Sequence, residues 1–294
     1  TVLLARLLGA EGYGIYAYAY ALVTLLAMPA HSGLPDLIVR ETARGMAQSR
    51  PDIVAGAWRW AGRMVAALSL ALVLILGPVL VTWWGGIHDV RGQTLAWALP
   101  LIPLIALGNL PGAALRGLKH IVAGQLPEFV IRPGLFLVLV GGTLLVAPDS
   151  LSASLAMALH VVAALVAFLF GAWMLLHHTP VAVQRARPSA DAKHWLATSL
   201  MFALITAFGI INNQVSTIIL GVFEDPDRVG VYRVAAQVAT LATFGLQAVN
   251  LVVGPRFADL YARGNMEHLQ WLATSSARIA LLSNLAFTVL FMLM

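Results

Sequence analysis

The feature that most constrains this chain is a series of long apolar runs that recur along its whole length with short polar segments between them. The runs supply the roughly 20 consecutive apolar residues that a helix needs to cross the hydrocarbon core of a bilayer. They are continuous rather than alternating, which favours helices over the strands of a transmembrane barrel. Only 11% of the residues are charged and 60% are hydrophobic, unlike a soluble domain. The sequence therefore predicts an all-α, polytopic transmembrane helix bundle.

Nine helices are predicted, the first of them partial. Their ranges are 1–10, 13–39, 60–84, 95–115, 129–147, 151–176, 195–222, 229–251 and 269–294. Two polar segments, Ser49–Asp52 and Glu224–Asp227, carry helix-start chemistry, because a proline and an acid stand where the first turn would begin. Pro100, Pro103 and Pro111 fall inside the fourth predicted helix, which we therefore expect to be bent.

The basic residues are divided unequally between alternate sides of these spans. Fourteen Lys and Arg residues fall on one side and four on the other, and the side with the excess is cytoplasmic by the positive-inside rule. This topology explains the net charge of +5, so no nucleic-acid partner is expected. The outer connections are short and leave no room for an extracytoplasmic catalytic domain. Residues 40–63 are expected to lie partly along the cytoplasmic surface as an amphipathic segment.

An internal repeat appears when the sequence is shifted by 216 residues. Eight of the first forty positions are then identical, and an acidic turn, a Gly-Ile/Val-Tyr motif, a long helix and an inner-end arginine recur at the same spacing. The offset spans six helices, so the second copy has the same orientation as the first, as in transporters with parallel repeats. We predict a six-helix N-terminal lobe over 1–180, a cytoplasmic linker over 181–194 and the start of a C-terminal lobe over 195–294.

Two stretches resemble the bacterial polysaccharide-exporting flippases of O-antigen and lipopolysaccharide biosynthesis, in the multidrug/oligosaccharidyl-lipid/polysaccharide exporter superfamily. They are ARLLGAEGYGIYAYAYALVTLLAMPAHSGLPDLIVRETARG (Ala5–Gly45) and GVYRVAAQVATLATFGLQAVNLVVGPRFADLYARG (Gly230–Gly264). Members of that family have more helices than this chain. Because Thr1 aligns with Thr217, deep in the seventh predicted helix, we expect the first helix to be truncated and the chain to be a fragment.

The resemblance implies a membrane transporter in the bacterial inner membrane. Such a protein turns a polyprenyl-diphosphate-linked oligosaccharide from the cytoplasmic to the outer leaflet by alternating access of two lobes. The implied partners are this lipid-linked oligosaccharide, membrane lipid, and the polysaccharide polymerase and export machinery. The family is not enzymatic, and the sequence shows no nucleotide-binding loop, metal-ligand cluster or nucleophile elbow. We therefore expect no catalytic residue, no metal and no cofactor.

Two alternatives stay open at this point. One is a cation-coupled drug or metabolite antiporter of the same superfamily, and the other is a polytopic glycosyltransferase or polymerase. An antiporter would be expected to carry an acid deep within a span. Asp36 and Glu128 are the carboxylates nearest to span interiors, and both are predicted near cytoplasmic ends, which counts against cation coupling.

Polar side chains within spans are costly and therefore mark candidate functional positions. A guanidinium suits a diphosphate because its planar fork donates two hydrogen bonds at once. The candidate substrate-binding residues are Arg6, Arg40, Arg132, Arg233, Gln237, Gln247, Asn250 and Arg256. Topology and snorkelling are the alternative for the arginines, and bonding between helices is the alternative for the amides. His160, near the middle of a span, is either a proton relay or a neutral imidazole bonded to a neighbouring helix.

Overall fold

A computed structural model describes residues 2–31, 33–83, 86–147, 150–189, 191–242 and 266–292. All regular secondary structure in these ranges is helical. Five of the described helical spans, each 26 to 30 residues long, are long and apolar enough to cross a membrane: Leu3–His31, Pro51–Leu80, Val90–Gly117, Ile121–Val146 and Ala153–His178. The chain is therefore a multi-pass membrane protein, and the predicted fold class is confirmed.

The described residues contain twelve α-helices in chain order. They are α1 Val2–His31, α2 Leu34–Ala47, α3 Pro51–Trp83, α4 Val90–Ala98, α5 Leu101–Gly117, α6 Ile121–Leu126, α7 Arg132–Val146, α8 Ala153–His178, α9 Val181–Arg185, α10 Ala192–Phe223, α11 Pro226–Ala242 and α12 Met266–Met292. A 3₁₀ turn at Gly86–His88 precedes α4, and a π-helical turn at Pro127–Ile131 joins α6 to α7. Residues 3–230 form one compact unit, and the described residues from 231 onward belong to a second.

The first two predicted helices correspond to α1, which is broken at Gly9, where φ is 71° and ψ is 175°. The second predicted helix ends at His31 rather than at residue 39. The chain then turns at Gly33, whose φ is 77°, and restarts with a proline in the first turn of α2. Helix α2 is amphipathic, with the buried face Leu34, Leu37, Ile38, Glu41, Thr42 and Gly45. Only the first part of residues 40–63 therefore belongs to a separate amphipathic helix, because α3 already begins at residue 51.

Proline and acid together determine where two helices start. Helix α3 begins at Pro51, nine residues before the predicted bound, and the Arg50 guanidinium donates to both carboxylate oxygens of Asp52 at 3.0 and 2.7 Å. Helix α11 begins at Pro226. The start signals in the sequence were correct, whereas the start of the apolar run was a poor guide to the helix bound.

The fourth predicted helix is interrupted at its first proline, and whether it bends there stays a prediction. Helix α4 ends at Ala98 and α5 begins at Leu101, with Pro100 between them, while Pro111 lies inside α5. The fifth predicted helix also starts earlier than expected, at Ile121. Arg132 therefore lies eleven residues, or about 17 Å, from the start of its helical span rather than near an end.

The main core of the first unit is built from small and aliphatic side chains of α1, α2, α3 and α5, with one large residue from α10. Its buried members are Ala30, Leu34, Leu37, Ile38, Ala57, Ala61, Val65, Ala106, Leu110, Ala113, Ala114 and Trp195. Alanine is the commonest of them, which suits helices in a bilayer because small side chains let backbones approach closely. The membrane-spanning helices are therefore held by close packing rather than by bulky interlocking side chains.

The repeat in the sequence appears as a reciprocal contact between α1 and α11. A Cβ added at Gly14 would overlap the carbonyl oxygen of Pro226, and one added at Gly230 would overlap the carbonyl oxygen of Ala10. The shift of 216 residues relates Gly14 to Gly230 and Ala10 to Pro226. Each of the two glycines thus lies against the backbone position that the 216-residue shift makes equivalent.

Substituting either glycine of this contact should force α1 and α11 apart. We expect Gly14→Ala and Gly230→Ala each to lower the free energy of unfolding by about 1–3 kcal/mol, the usual cost of overpacking. Gly62→Ala is the matched control, because a Cβ there meets nothing within 4 Å. The measurement is thermal unfolding of the purified protein in detergent. Equal melting temperatures for all three variants would contradict the close backbone approach.

Candidate functional site

A buried arginine lies at the junction of the π-helical turn and α7. Arg132 is the first residue of α7, and its exposed fraction is 7%. The preceding π turn places Glu128 one turn earlier on the same side of the span. Prolines at positions 127 and 133 bracket this pair. Single π turns inside helices are frequent at functional sites, and here the turn places the half-exposed carboxylate of Glu128 beside a buried guanidinium.

The guanidinium of Arg132 makes polar contacts with residues on three segments. Its Nη1 donates a short, charge-assisted hydrogen bond to Oε1 of Glu128. Its Nε and Nη2 lie 3.2 and 3.0 Å from Nε2 of His160 on α8. Nη2 also lies 3.3 Å from the hydroxyl of Tyr20 on α1. Each of the three guanidinium nitrogens therefore has a partner inside the protein.

These bonds assign the protonation state of His160. A guanidinium can only donate, so Nε2 must carry the lone pair and the imidazole is neutral. The proton then resides on Nδ1, which donates to the Tyr16 hydroxyl at 2.6 Å. His160 is bonded to α1 and to α7, which confirms the interpretation as a neutral imidazole bonded to neighbouring helices. A proton arriving on Nε2 would first have to displace Arg132.

An aromatic wall surrounds the polar atoms. Tyr13, Tyr16 and Tyr20 stand at i, i+3 and i+7 on α1, so they lie on one face of the helix. The rings of Tyr20 and Phe136 lie 5.1 and 4.9 Å from the His160 ring, centroid to centroid. These rings pack around the buried guanidinium of Arg132, and the low dielectric there strengthens its hydrogen bonds, while the Glu128 side chain stays 46% exposed.

The arrangement is suited to holding a charge in place rather than to bond-making chemistry. The one positive charge of Arg132 is balanced by Glu128, and His160 and the tyrosines add hydrogen bonds without adding charge. Among the described residues, no group of three His, Asp or Glu side chains is placed to hold a metal ion. We call the set Glu128, Arg132, His160, Tyr16 and Tyr20 the Arg132 network.

A second buried charge lies where α2 meets α10. Glu41 is 1% exposed, and its carboxylate lies 3.9 Å from Arg40, 3.7 Å from Arg44 and 3.8 Å from His194. Neither Oε1 of Glu41 nor Nε2 of His194 has a hydrogen-bond partner. Arg40 and Arg44 compensate the buried carboxylate by attraction at these distances, and the His194 ring places the start of α10 beside it.

The structure separates the candidate site residues that the sequence indicated. Arg132 is in the network, Arg6 is exposed on α1, and Arg40 is exposed beside Glu41. In the second unit, Arg233 is half-buried and Gln237 is exposed. Gln247, Asn250 and Arg256 lie outside the described residues. Within the first unit, neither Arg6 nor Arg40 is among the polar partners of Arg132, so a shared substrate site stays a prediction.

Sequence reasoning missed most partners of Arg132. Tyr16 and Tyr20 were read only as part of an apolar helix, although their helical spacing with Tyr13 was a usable signal. Glu128 was expected near a cytoplasmic end and was considered only as an acid for ion coupling. Its spacing of four residues from Arg132, between two prolines, was the signal for a paired charge inside the span.

Breaking the Arg132 network should be costly because it leaves a charge unpaired. We expect Arg132→Gln to lower the free energy of unfolding by about 3–5 kcal/mol and Glu128→Gln to lower it less, since the Glu128 side chain is 46% exposed. The double variant should fall short of the sum, with a coupling of about 0.5–3 kcal/mol. Unfolding of the purified protein in detergent provides the measurement.

The control for this cycle is Arg228→Gln. Its guanidinium pairs with Glu224 at 2.7 Å in an exposed i, i+4 arrangement, which contributes at most about 1 kcal/mol. If Arg132→Gln destabilised the protein no more than Arg228→Gln, the buried network would not be a determinant of the fold.

Comparison with solved structures finds one whose title describes the inward-facing conformation of a multidrug resistance MATE family transporter of the MOP superfamily. The match covers 100% of this chain and 70% of that one, with a TM-score of 0.75 and 17% sequence identity. At that identity the likeness shows the fold, which is a membrane transporter fold.

Among curated proteins, none matches this chain. A sequence family described as "Polysaccharide biosynthesis protein" matches residues 1–261. That match covers most of the 294 residues, and the chain belongs to the polysaccharide biosynthesis protein family.

Proposed function

We propose that this protein flips a polyprenyl-diphosphate-linked oligosaccharide across the bacterial inner membrane for surface polysaccharide export. Family membership and a transporter fold support a membrane transporter. The observation that favours an anionic cargo is that two carboxylates of the first unit already have arginine neighbours. Glu128, inside a span, is paired with Arg132, and the buried Glu41 lies within 4 Å of the two guanidinium groups of Arg40 and Arg44. A transporter of cations needs an available acid, whereas an anionic diphosphate needs available arginines.

The orientation follows the positive-inside prediction, with the Lys- and Arg-rich loops in the cytoplasm. The cargo enters from the cytoplasmic leaflet, its lipid tail stays in the bilayer, and membrane lipid surrounds the protein throughout. The polymerase and export machinery act on the cargo after release outside. The protein is proposed to perform no bond-making step, in keeping with a fold and family of transporters.

Alternating access requires the outer end of α1 to separate from α10 and α11. The described structure has these ends in contact at Gly14, Pro226 and Gly230, so we assign it to the state with the outer side closed. The structural neighbour is titled as inward-facing, which supports this assignment. In the outward-facing state, the reciprocal glycine contact would open.

The chain contains no cysteine, so this opening can be tested by a disulfide. A Cβ at Gly221 would lie 2.9 Å from Cγ of Tyr18. Adding one carbon–carbon bond of about 1.5 Å puts the two Cβ atoms within about 4.4 Å, inside the range for a disulfide. The Tyr18→Cys change also removes the ring that a side chain at residue 221 would meet.

We expect the Tyr18→Cys/Gly221→Cys protein to lose transport when oxidised and to recover it on reduction, because the bond holds α1 against α10. Leaflet exchange of a labelled polyprenyl-diphosphate oligosaccharide in proteoliposomes is the measurement. The two single-cysteine variants are the controls and should be insensitive to oxidation. Full exchange by the cross-linked protein would show that this contact need not open.

The same assay tests the cargo itself. The full-length protein should accelerate exchange of the labelled oligosaccharide lipid well above that of protein-free vesicles. An exchange rate equal to that of empty vesicles, together with movement of a cationic dye driven by a proton or sodium gradient, would replace the proposal with cation-coupled antiport.

Charge reversal at Arg40 and Arg256 should lower the rate of oligosaccharide-lipid exchange at normal protein levels if these positions contact the diphosphate. Unchanged exchange would make them topology markers.

A further inference from the structure

A cavity of about 490 Å³ lies beside the first half of α3 and shares no residue with the Arg132 network. One wall is α3, through Arg59, Trp60, Arg63 and Ala67. The opposite wall is the segment before α10, residues 188–189, together with Trp195 of α10 itself. None of these residues was assigned a role by the proposed function.

The two arginines of the cavity are without polar partners. Arg59 and Arg63 are one turn apart on α3, so they share a face, and both are exposed. In the part of the chain that the structure describes, neither has a hydrogen bond or an ion pair. Arg50 and Arg228, in contrast, each pair with a nearby carboxylate at 2.7 Å. The donors of Arg59 and Arg63 are therefore available to an external anion.

Their position along α3 corresponds to the level of lipid headgroups. Residues 64–81 are eighteen residues without an ionisable side chain, which as a helix measure about 27 Å, close to the thickness of the hydrocarbon core. Arg63 directly precedes this stretch. Leu70 and Leu74 follow Ala67 by one and two turns and are 58% and 65% exposed. The cavity therefore continues into an apolar stripe along α3.

The cavity walls are held in place by close contacts. A Cβ at Gly56 would overlap the carbonyl oxygen of Ser189 and lie 2.8 Å from Cη2 of Trp195. The Ser189 backbone N–H donates to the carbonyl of Asp52 at 3.1 Å. Trp195 is 2% exposed, and its ring lies 5.8 Å from that of Trp60. The segment before α10 is thus fixed against α3, and the cavity is not a gap between independent elements.

We propose that this cavity binds the phosphate group of a membrane-borne anionic lipid, and that Arg59 and Arg63 donate the hydrogen bonds to it. Two guanidinium forks one turn apart can donate to separate oxygens of one phosphate. The apolar stripe beyond Ala67 accepts the lipid chain, an interaction that free phosphate would not gain. Tryptophan at this depth matches its preference for the membrane interface. The site does not depend on which cargo the protein transports.

The test is retention of lipid by the full-length protein, measured by native mass spectrometry after exchange into mixed micelles. The probes are phosphatidylglycerol, phosphatidylcholine, a polyprenyl diphosphate and inorganic pyrophosphate. The wild-type protein should retain phosphatidylglycerol over phosphatidylcholine, and R59Q/R63Q should lower that retention by about tenfold or more, from the loss of charged hydrogen bonds. R185Q/R187Q is the matched control, because it removes the same charge from exposed residues outside the cavity.

A second variant tests the cavity without changing charge. Ala67→Trp should fill the cavity mouth from an exposed position and should lower retention of phosphatidylglycerol while the protein stays folded. Equal retention by wild type, R59Q/R63Q and A67W would overturn the proposal, as would an equal loss in R185Q/R187Q. Displacement of phosphatidylglycerol by polyprenyl diphosphate at equal concentration would assign the site to the lipid diphosphate, and failure to displace would assign it to membrane phospholipid. Equal displacement by inorganic pyrophosphate would overturn a lipid site.

Discussion

A guanidinium buried near the middle of a membrane span is the interaction on which the order of the first unit depends. In hydrocarbon an unpaired arginine is expensive, so Arg132 is tolerated only where an acid and neutral acceptors converge on it. Glu128 comes from the preceding π turn, His160 from α8 and Tyr20 from α1. Three segments must therefore hold a common register. The neutral state of His160 and the tyrosine face of α1 are consequences of the same requirement.

Helix α1 links this buried charge to the contact at Gly14. Gly14 meets the start of α11, and Tyr16, two residues later, accepts from His160 of the network. A displacement of α1 at Gly14 would therefore act on the tyrosine hydroxyl groups of the Arg132 network. The small residues of the core make such a displacement feasible, because alanine faces interlock less than large side chains do. In the proposed alternating access, separation at the Gly14 contact would thus be mechanically connected to rearrangement of the network through one helix segment.

The sequence was sufficient for the class of fold and for much of its order. Apolar runs predicted the spans, prolines located the starts of α3 and α11 and the break before α5, and the 216-residue shift aligned Gly14 with Gly230 as equivalent positions without predicting their contact. Helix bounds failed where helices extend beyond the apolar run, as at Ile121, and this error placed Arg132 too near the membrane surface. The Arg132 network could not be predicted from helical periodicity, because it joins residues as far apart in the sequence as Tyr16 and His160. Such contacts depend on how α1 packs against α8, which no local pattern records.

The arginines differ in whether their guanidinium groups are already hydrogen-bonded within the protein, and this decides which of them can bind an external anion. Each guanidinium nitrogen of Arg132 already has an internal partner, so direct contact with a diphosphate would require the loss of bonds to His160 or Glu128. Its structural contribution is to position α1. Arg6 has no polar partner in the described part of the chain, and its exposed guanidinium can bind an anion without that loss. Low desolvation cost and free donors, rather than depth in the membrane, are therefore the properties that favour a residue as the first contact for an anionic headgroup. Burial and full pairing favour a residue that holds the helices carrying such contacts.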